Sequence, residues 1–368
     1  MMQAKLKILH ISFHKEWRGG EQQAAYLYEE LKNKSCKQWF LCAKGNAMNN
    51  YCINNDIPFY SLKTGLLNNI KNRSIINFIC IKNEIDIIHV HDSKAHTFLF
   101  INSLFTKLPK VIVSRRVDFP VHSSFLSKKK YNCDCIKKYI CISKTVKDIL
   151  EPAIKDKAKL EVVHSGIDVK KFEAKQNTNK LRNEYSLKNE EIIIANTSAI
   201  ADHKDYFTFV DTAEDLLKKN ISAIFFIIGK GPLEKDIRSY INKKGLAKNV
   251  ILTGFRNDIP EILHEVDVFL FTSKTEGLGT TILDAMACGV PVVATNAGGV
   301  SEIIKHKENA LIAQVKNIKE LSELVELAIK DETLKNKIIA NARKTLEHFS
   351  KEKMAEGNLD VYKKVVLC

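Results

Sequence analysis

Short, almost uninterrupted apolar runs recur along the chain, separated by stretches whose apolar positions repeat at helical spacing. KILHISF (7–13), IDIIHVH (85–91), VIVSRR (111–116) and KYICIS (138–143) predict strands, and KLEVVHSGID (159–168) predicts a strand ending in a turn. After the first of these, WRGGEQQ (17–23) predicts a glycine turn leading into the helical pattern AAYLYEELKNK. The rhythm restarts with IIIANTSA (192–199), AIFFIIG (223–229), NVILTG (249–254), DVFLFTS (267–273), PVVAT (291–295) and ALIAQV (310–315). Runs this apolar suit strands buried on both faces, and strand–helix alternation predicts parallel, doubly wound sheets. The expected architecture is α/β, with two Rossmann-like domains at 1–165 and 166–348, joined near Ser165–Asp168. The last stretch, 349–368, reads as an amphipathic helix with no new strand, and the first domain is its natural packing partner.

Length and composition agree with this division. A chain of 368 residues exceeds one ordinary core, and 45% hydrophobic with 27% charged residues is a globular composition. No apolar run approaches the roughly 18 residues that cross a bilayer. MMQAKLKILHISFHKEW lacks the cleavage site of a secretory signal, so a cytoplasmic protein is expected. The nine cysteines are scattered, and Cys133 and Cys135 form a C-x-C without a second pair, which predicts reduced thiols and no metal site.

Charge changes the picture more. Residues 1–165 hold 27 lysines and arginines against 14 acids, whereas residues 166–368 hold 30 against 29. A general lysine bias would load both halves, so the basic first domain points to an anionic partner. SSFLSKKKYN (123–132) mixes apolar and basic residues in the manner of a segment resting on an anionic membrane surface or an acidic acceptor. Nucleic acid is not expected, because no recognised module is present and aromatics are not interleaved with the basic runs.

The chemistry concentrates in TEGLGTTILDAMACGVPVVATNAGG (275–299), at the carboxyl end of a predicted strand, where open α/β sheets bind ligands. Gly277 and Gly279 permit close backbone approach, and Thr280 or Thr281 is placed to cap the helix TILDAMA. Free amides at that helix start suit a phosphate. Glu276 and Asp284 would repel phosphate but accept hydrogen bonds from sugar hydroxyls. Eight residues at helical rise span about 12 Å, roughly the separation of two sugars flanking a diphosphate.

This stretch resembles the donor-site motif of family 4 retaining glycosyltransferases, which have the GT-B fold of two Rossmann-like domains facing a cleft. The family pattern holds two glutamates eight positions apart. Here the second is Asp284, whose shorter arm still accepts hydroxyl hydrogen bonds. IIGKGPLEKDI (227–237) resembles the family's GxGP turn and includes Gly229. LTGFRNDIPEIL (252–263), with Phe255 and Arg256, resembles the segment near the nucleotide base, and HSGID (164–168) the junction turn. SAIADHKDY (198–206) places Lys204 at the family's lysine, but the family's arginine falls on Ala199.

The resemblance implies transfer from a nucleotide-diphosphate sugar, UDP or GDP type, with no cofactor and no metal required. Lys204, Gly277, Leu278, Gly279 and Thr280 would hold the diphosphate, Glu276 the donor sugar and Asp284 the ribose. Gly19 and Gly20 match the family's glycine-rich loop. Arg116 falls where many relatives carry a histidine, and it or Arg115 is open as the replacement for the cation lost at Ala199. His91 or Asp92 is expected near the acceptor, with His89 in the core. The acceptor implied is a glycan or glycolipid of bacterial cell-envelope polysaccharide or lipopolysaccharide synthesis, with the protein cytoplasmic or peripheral on the inner membrane face. A sugar-nucleotide epimerase shares the architecture, and a basic nucleic-acid-binding protein would explain the charge. Stabilisation by nucleotide diphosphates or by an oligonucleotide separates these readings.

Overall fold

The structure, a computed structural model, describes residues 5–32, 34, 36–63, 71–175 and 177–367. The first four residues of the N-terminal stretch and Cys368 lie outside the described residues. The chain divides into two compact units, residues 1–166 with 351–368, and residues 167–350.

In the first unit, β1 (Leu6–Ser12), β2 (Cys36–Ala43), β3 (Phe59–Leu62), β4 (Ile87–Val90), β5 (Lys110–Arg115), β6 (Ile136–Cys141) and β7 (Leu160–Val162) form one seven-stranded sheet. Its order is β3-β2-β1-β4-β5-β6-β7, and every pairing is parallel. The apolar runs do not foretell β2 and β3. β2 has Lys37 and Gln38 directly after its first residue, Cys36, and β3 is only four residues long.

Alternation along the strands sorts side chains onto two faces. Ile8, Ile87, Ile112 and Ile140 meet Leu27 and Leu31 of the helix Gly19–Lys32 and Ala355, Val361 and Tyr362 of the helix Lys351–Leu367. Leu9, Ile11, Ile88, Val90 and Val113 form the opposite core with Ile76, Ile79, Phe98 and Leu99. Burial of a large apolar side chain contributes about 1.5–3 kcal/mol. Val361, Tyr362 and Val365 therefore hold the C-terminal helix firmly on the first sheet.

In the second unit, β8 (Ile192–Thr197), β9 (Ala223–Ile228), β10 (Val250–Gly254), β11 (Val268–Phe271), β12 (Val292–Thr295) and β13 (Leu311–Ala313) form a six-stranded sheet. The order is β10-β9-β8-β11-β12-β13, again parallel throughout. Phe225, Phe226, Phe269 and Phe271 are fully buried, as the unbroken apolar runs require of strands covered on both faces.

Strand order reverses between β1 and β4 in one sheet and between β8 and β11 in the other. Such switch points, at the carboxyl ends of the strands, are where open α/β sheets bind ligands. The loops after β8 and β11 carry Lys204 and Glu276, those after β4 and β5 carry His91 and Arg116, and the loop after β1 leads into a helix that starts at Gly19. Among the described residues no helix is long and apolar enough to cross a membrane.

Candidate active site

After β8 the chain makes a tight turn, Asp202–Lys204, and Asp205 adopts a left-handed conformation to cap the helix Tyr206–Lys218. The turn is stapled to the end of β11. Thr272 Oγ1 donates to the carbonyls of Lys204 and Asp205 at 3.2 and 3.1 Å, and the Lys274 amide donates to His203 O at 2.7 Å. Lys204 is thereby fixed over the Phe271 ring, 5.3 Å from its centroid, with its ammonium donating to Glu276 Oε1. Ser273 Oγ donates to the same carboxylate oxygen at 2.8 Å. Both charged side chains are largely enclosed, with 14% and 10% of their surfaces exposed. The switch point thus brings together two residues 72 positions apart.

Behind this pair, the loop at Gly298 presses on the loop at Glu276. A Cβ on Gly298 would stand 2.4 Å from Glu276 O, and its φ of +53° also favours glycine. Gly229 has the same kind of role: a Cβ there would stand 2.0 Å from Ser198 O. This second contact seats the GKGP turn against the strand end that leads to Ala199. Gly229 therefore shapes the backbone around the site.

The helix Thr280–Ala287 starts differently from the expectation. Its N-cap is Gly279 at φ 90°, with no side-chain cap, and neither Thr280 nor Thr281 caps it, because both lie inside the first turn. Thr281 Oγ1 is buried without a partner. Leu278 buries its side chain, so only its backbone is offered to a ligand. Asp284 sits in the second turn, opposite the helix Val169–Glu173. Burial pushes its carboxyl up to about 7, and Lys171 opposes that shift.

Phe255 is 65% exposed and lies with Thr253, Thr178 and Lys180 around an open depression. Arg256, expected as a donor contact, is occupied otherwise. Its guanidinium donates to both oxygens of Asp258 at 2.8 and 2.7 Å and to both of Glu184 at 2.9 and 2.8 Å. Two carboxylates use its planar donors, so it holds the turn together.

In the first unit, Gly19 and Gly20 open the helix Gly19–Lys32, and nothing lies within 4 Å of a Cβ position on Gly19. The Arg116 Cδ lies 3.9 Å from the corresponding position on Gly20. Three acceptor-side candidates have internal roles instead. Asp92 caps the helix Ser93–Ser103 through Lys94 N and Ala95 N and accepts from Phe13 N, so both of its oxygens are engaged. Arg115 donates to Tyr131 Oη at 3.0 Å and to Phe119 O, turning its side chain away from Arg116's partners. His91 is buried and receives Arg116, which donates to His91 O at 2.9 Å and approaches His91 Nδ1 at 3.2 Å. Desolvation draws Arg116 down to about 10, against the opposing charges of Glu21 and Asp92.

The sequence reading did not anticipate His10, Gln38 or the pairing of His89 with Tyr362. His10 and His89 are register partners on β1 and β4, so their rings share a face. Ring nitrogens of His10, His89 and His91 lie within 4.8 Å of one another, an arrangement compatible with a metal. All six nitrogens already have hydrogen-bond partners, however: Gln38, Tyr362, Ser114, Arg116 and one another. Polar residues embedded in the strand patterns KILHISF and IDIIHVH are the signal that would have found this network.

Two parallel doubly wound sheets, each with its ligand-side loops at a switch point, define the GT-B architecture. The family description "Glycosyl transferases group 1" matches residues 177–345, and "Glycosyltransferase Family 4" matches residues 17–171. The chain belongs to the group 1, family 4 glycosyltransferases. It is 24% identical to the UDP-Gal:alpha-D-GlcNAc-diphosphoundecaprenol alpha-1,3-galactosyltransferase of Escherichia coli, over 98% of this chain and 97% of that one. A glycosyltransferase from Rickettsia africae superposes with a TM-score of 0.86 at 22% identity, covering 99% of both chains. The Anabaena protein HepE, solved with UDP and glucose, gives 0.85 at 19% identity, covering 98% of this chain and all of that one.

Proposed function

We propose that this glycosyltransferase moves a sugar from a UDP- or GDP-sugar to a glycan or glycolipid acceptor of the bacterial cell envelope, retaining the anomeric configuration. The observation that carries the reading is the Lys204–Glu276 pair at the β8/β11 switch point. When the donor enters, the Lys204 ammonium turns to the diphosphate, where negative charge grows as the bond to the sugar breaks. A fixed cation stabilises that state selectively. Glu276, released from Lys204, accepts hydrogen bonds from the donor sugar, and amides at the start of the helix Thr280–Ala287 face the phosphates. Asp284 accepts from the ribose. Its arm is one methylene shorter than the family's glutamate.

Among the residues of this site, no side chain is placed as a covalent nucleophile. A front-side displacement follows: the bond from C1 to the phosphate oxygen breaks as the acceptor oxygen bonds C1 on the same face. The acceptor's proton passes to the leaving phosphate.

The first unit receives the acceptor in this reading. The helix Phe125–Tyr131 exposes Phe125 and Leu126, each 69%, beside Lys128, Lys129 and Lys130. Exposed Phe119 lies on the preceding loop. Apolar side chains flanked by lysines suit the surface of an anionic membrane, where a lipid-linked acceptor would be presented.

The test is a nucleotide-release screen over UDP-galactose, UDP-glucose, UDP-N-acetylglucosamine and GDP-mannose. It is repeated with Glu276→Ala and Lys204→Ala, with the anomeric configuration of the product read by NMR. Undiminished turnover in both variants, or an inverted product, would overturn the proposal.

A further inference from the structure

The polar network inside the first unit runs in one direction. The Gln38 side-chain amide lies between Tyr28 O and His10, with Nε2 3.0 Å from Tyr28 O and Oε1 3.0 Å from His10 Nε2. Turning the amide over would set two acceptors against each other at Tyr28 O, so Gln38 Nε2 donates there. Gln38 Oε1 is then an acceptor, and His10 Nε2 must carry a proton. The other end gives the same answer independently. A guanidinium only donates, so His91 Nδ1, 3.2 Å from Arg116 Nη2, must be bare. His91 Nε2 then carries the proton and donates across 3.0 Å to His10 Nδ1, which is bare. Both ends require the same tautomer on both rings.

We propose that Gln38, His10 and His91 form a tautomer-locked hydrogen-bonded chain that holds the Arg116 guanidinium in place, and that they are positioning residues for glycosyl transfer. The inference rests on the proposed transferase function and takes Arg116, since Arg115 is turned to Tyr131 and Phe119, as the cation that the family resemblance expects on the substrate side of this strand end. Arg116 is held at two points, His91 O and His91 Nδ1, while its Nε is buried without a partner. Its stem lies beside Gly20, at the start of the glycine-opened helix. A cation fixed before substrate arrives stabilises developing charge without reorganising, which a loosely held arginine cannot do.

The chain works only while both imidazoles are neutral. A second proton on either ring would set N–H against N–H, at His91–Arg116 or at His10–His91. The surroundings favour the neutral forms. Burial, chiefly, lowers His10 to about 4 and His91 well below its usual value, and Arg116 adds to both shifts. His89, its ring 4.2 Å from that of His91, is engaged by Tyr362 and Ser114, and Glu21 and Asp92 flank Arg116 electrostatically.

The test uses the full chain. Ring-15N NMR of the unmodified protein is expected to show His10 and His91 as neutral Nε2–H tautomers from pH 8 to pH 5. An Nδ1–H tautomer at either residue, or protonation near pH 6.5, would overturn the chain. Gln38→Leu removes the acceptor that sets the direction, whereas Gln38→Glu, protonated in this site, can still accept from His10 and donate to Tyr28 O. With the nucleotide sugar that turns over in the screen above, Gln38→Leu is expected to lower kcat about tenfold with KM for that donor within twofold. Gln38→Glu should restore most of the loss. Equal kcat in Gln38→Leu and the unmodified protein would refute positioning, even with the NMR signature intact. Arg116→Ala separates the two layers: undiminished kcat there removes Arg116 from the site, whereas the NMR result judges the chain alone.

Discussion

Asp284 costs the fold stability, and replacing it with asparagine should reveal how much. Its carboxyl titrates at about 7 in the folded protein, against ~3.9 in an unfolded chain. Because the folded value is raised, ionisation disfavours folding. The penalty is absent well below pH 4, grows as pH rises through the interval between the two values, and is constant above about 7. A gap of about three units corresponds to ~4 kcal/mol as an upper bound. Solvent contact and relaxation around the carboxylate reduce this, so we expect Asp284→Asn to stabilise the second unit by about 2 kcal/mol at pH 8 and by less than about 1 kcal/mol at pH 5. Trp17 and Trp39 are the two tryptophans and both lie in the first unit, so fluorescence does not report on this change. Hydrogen exchange in peptides spanning 268–295, followed as urea is raised, does. The same variant should bind nucleotide about 10- to 100-fold more weakly, the loss expected for a charged acceptor of hydroxyl hydrogen bonds. A gain in stability with a loss of binding marks a residue kept for function. An asparagine variant no more stable at pH 8, or stabilised more at pH 5 than at pH 8, would refute the reasoning.

Tyr362→Phe leaves His89 Nδ1 buried without its partner and should destabilise the first unit by about 1–3 kcal/mol, read by tryptophan fluorescence in urea. An unchanged midpoint contradicts it. Gly298→Ala forces apart the two loops behind Glu276 and should lower stability by about 1–3 kcal/mol while abolishing thermal stabilisation by UDP or GDP. Full retention of that stabilisation contradicts the packing described. Cys133, whose thiol is drawn down to about 6 chiefly by the Cys135 thiol 2.7 Å away, should be alkylated by iodoacetamide at pH 7 ahead of the other cysteines. Cys135→Ala should remove that advantage, and mass spectrometry decides.

Much of the fold was legible because buried parallel strands leave near-continuous apolar runs, as AIFFII and VFLF do. β2 and β3 escaped because Lys37 and Gln38 interrupt one and the other is too short to show a pattern. In the second unit the residue types and spacing of 275–299 pointed to the carboxylate, and the family resemblance of SAIADHKDY (198–206) to its lysine. That they meet depends on Thr272 and Ser273, whose hydroxyls carry no pattern of their own. Sequence left Arg115 and Arg116 equivalent. They alternate across the end of β5, so one turns to Tyr131 and the other to His91, a distinction that only strand register supplies. Arg256 shows the converse: its position in a motif was clear, but the two carboxylates that occupy it come from Asp258 nearby and Glu184, 72 residues away.

The central claim, that Lys204 holds the diphosphate and Glu276 the sugar of a nucleotide sugar, is tested most directly by calorimetric titration. UDP, GDP and their hexose conjugates are titrated into the unmodified protein, Lys204→Met and Glu276→Ala. A charge-assisted contact contributes about 1.5–3 kcal/mol, so Lys204→Met should weaken nucleotide diphosphate binding about 10- to 100-fold. Glu276→Ala should leave the affinity for nucleotide diphosphate undiminished while erasing the additional affinity for the sugar conjugate. Equal affinities for every ligand across the three proteins would contradict the account.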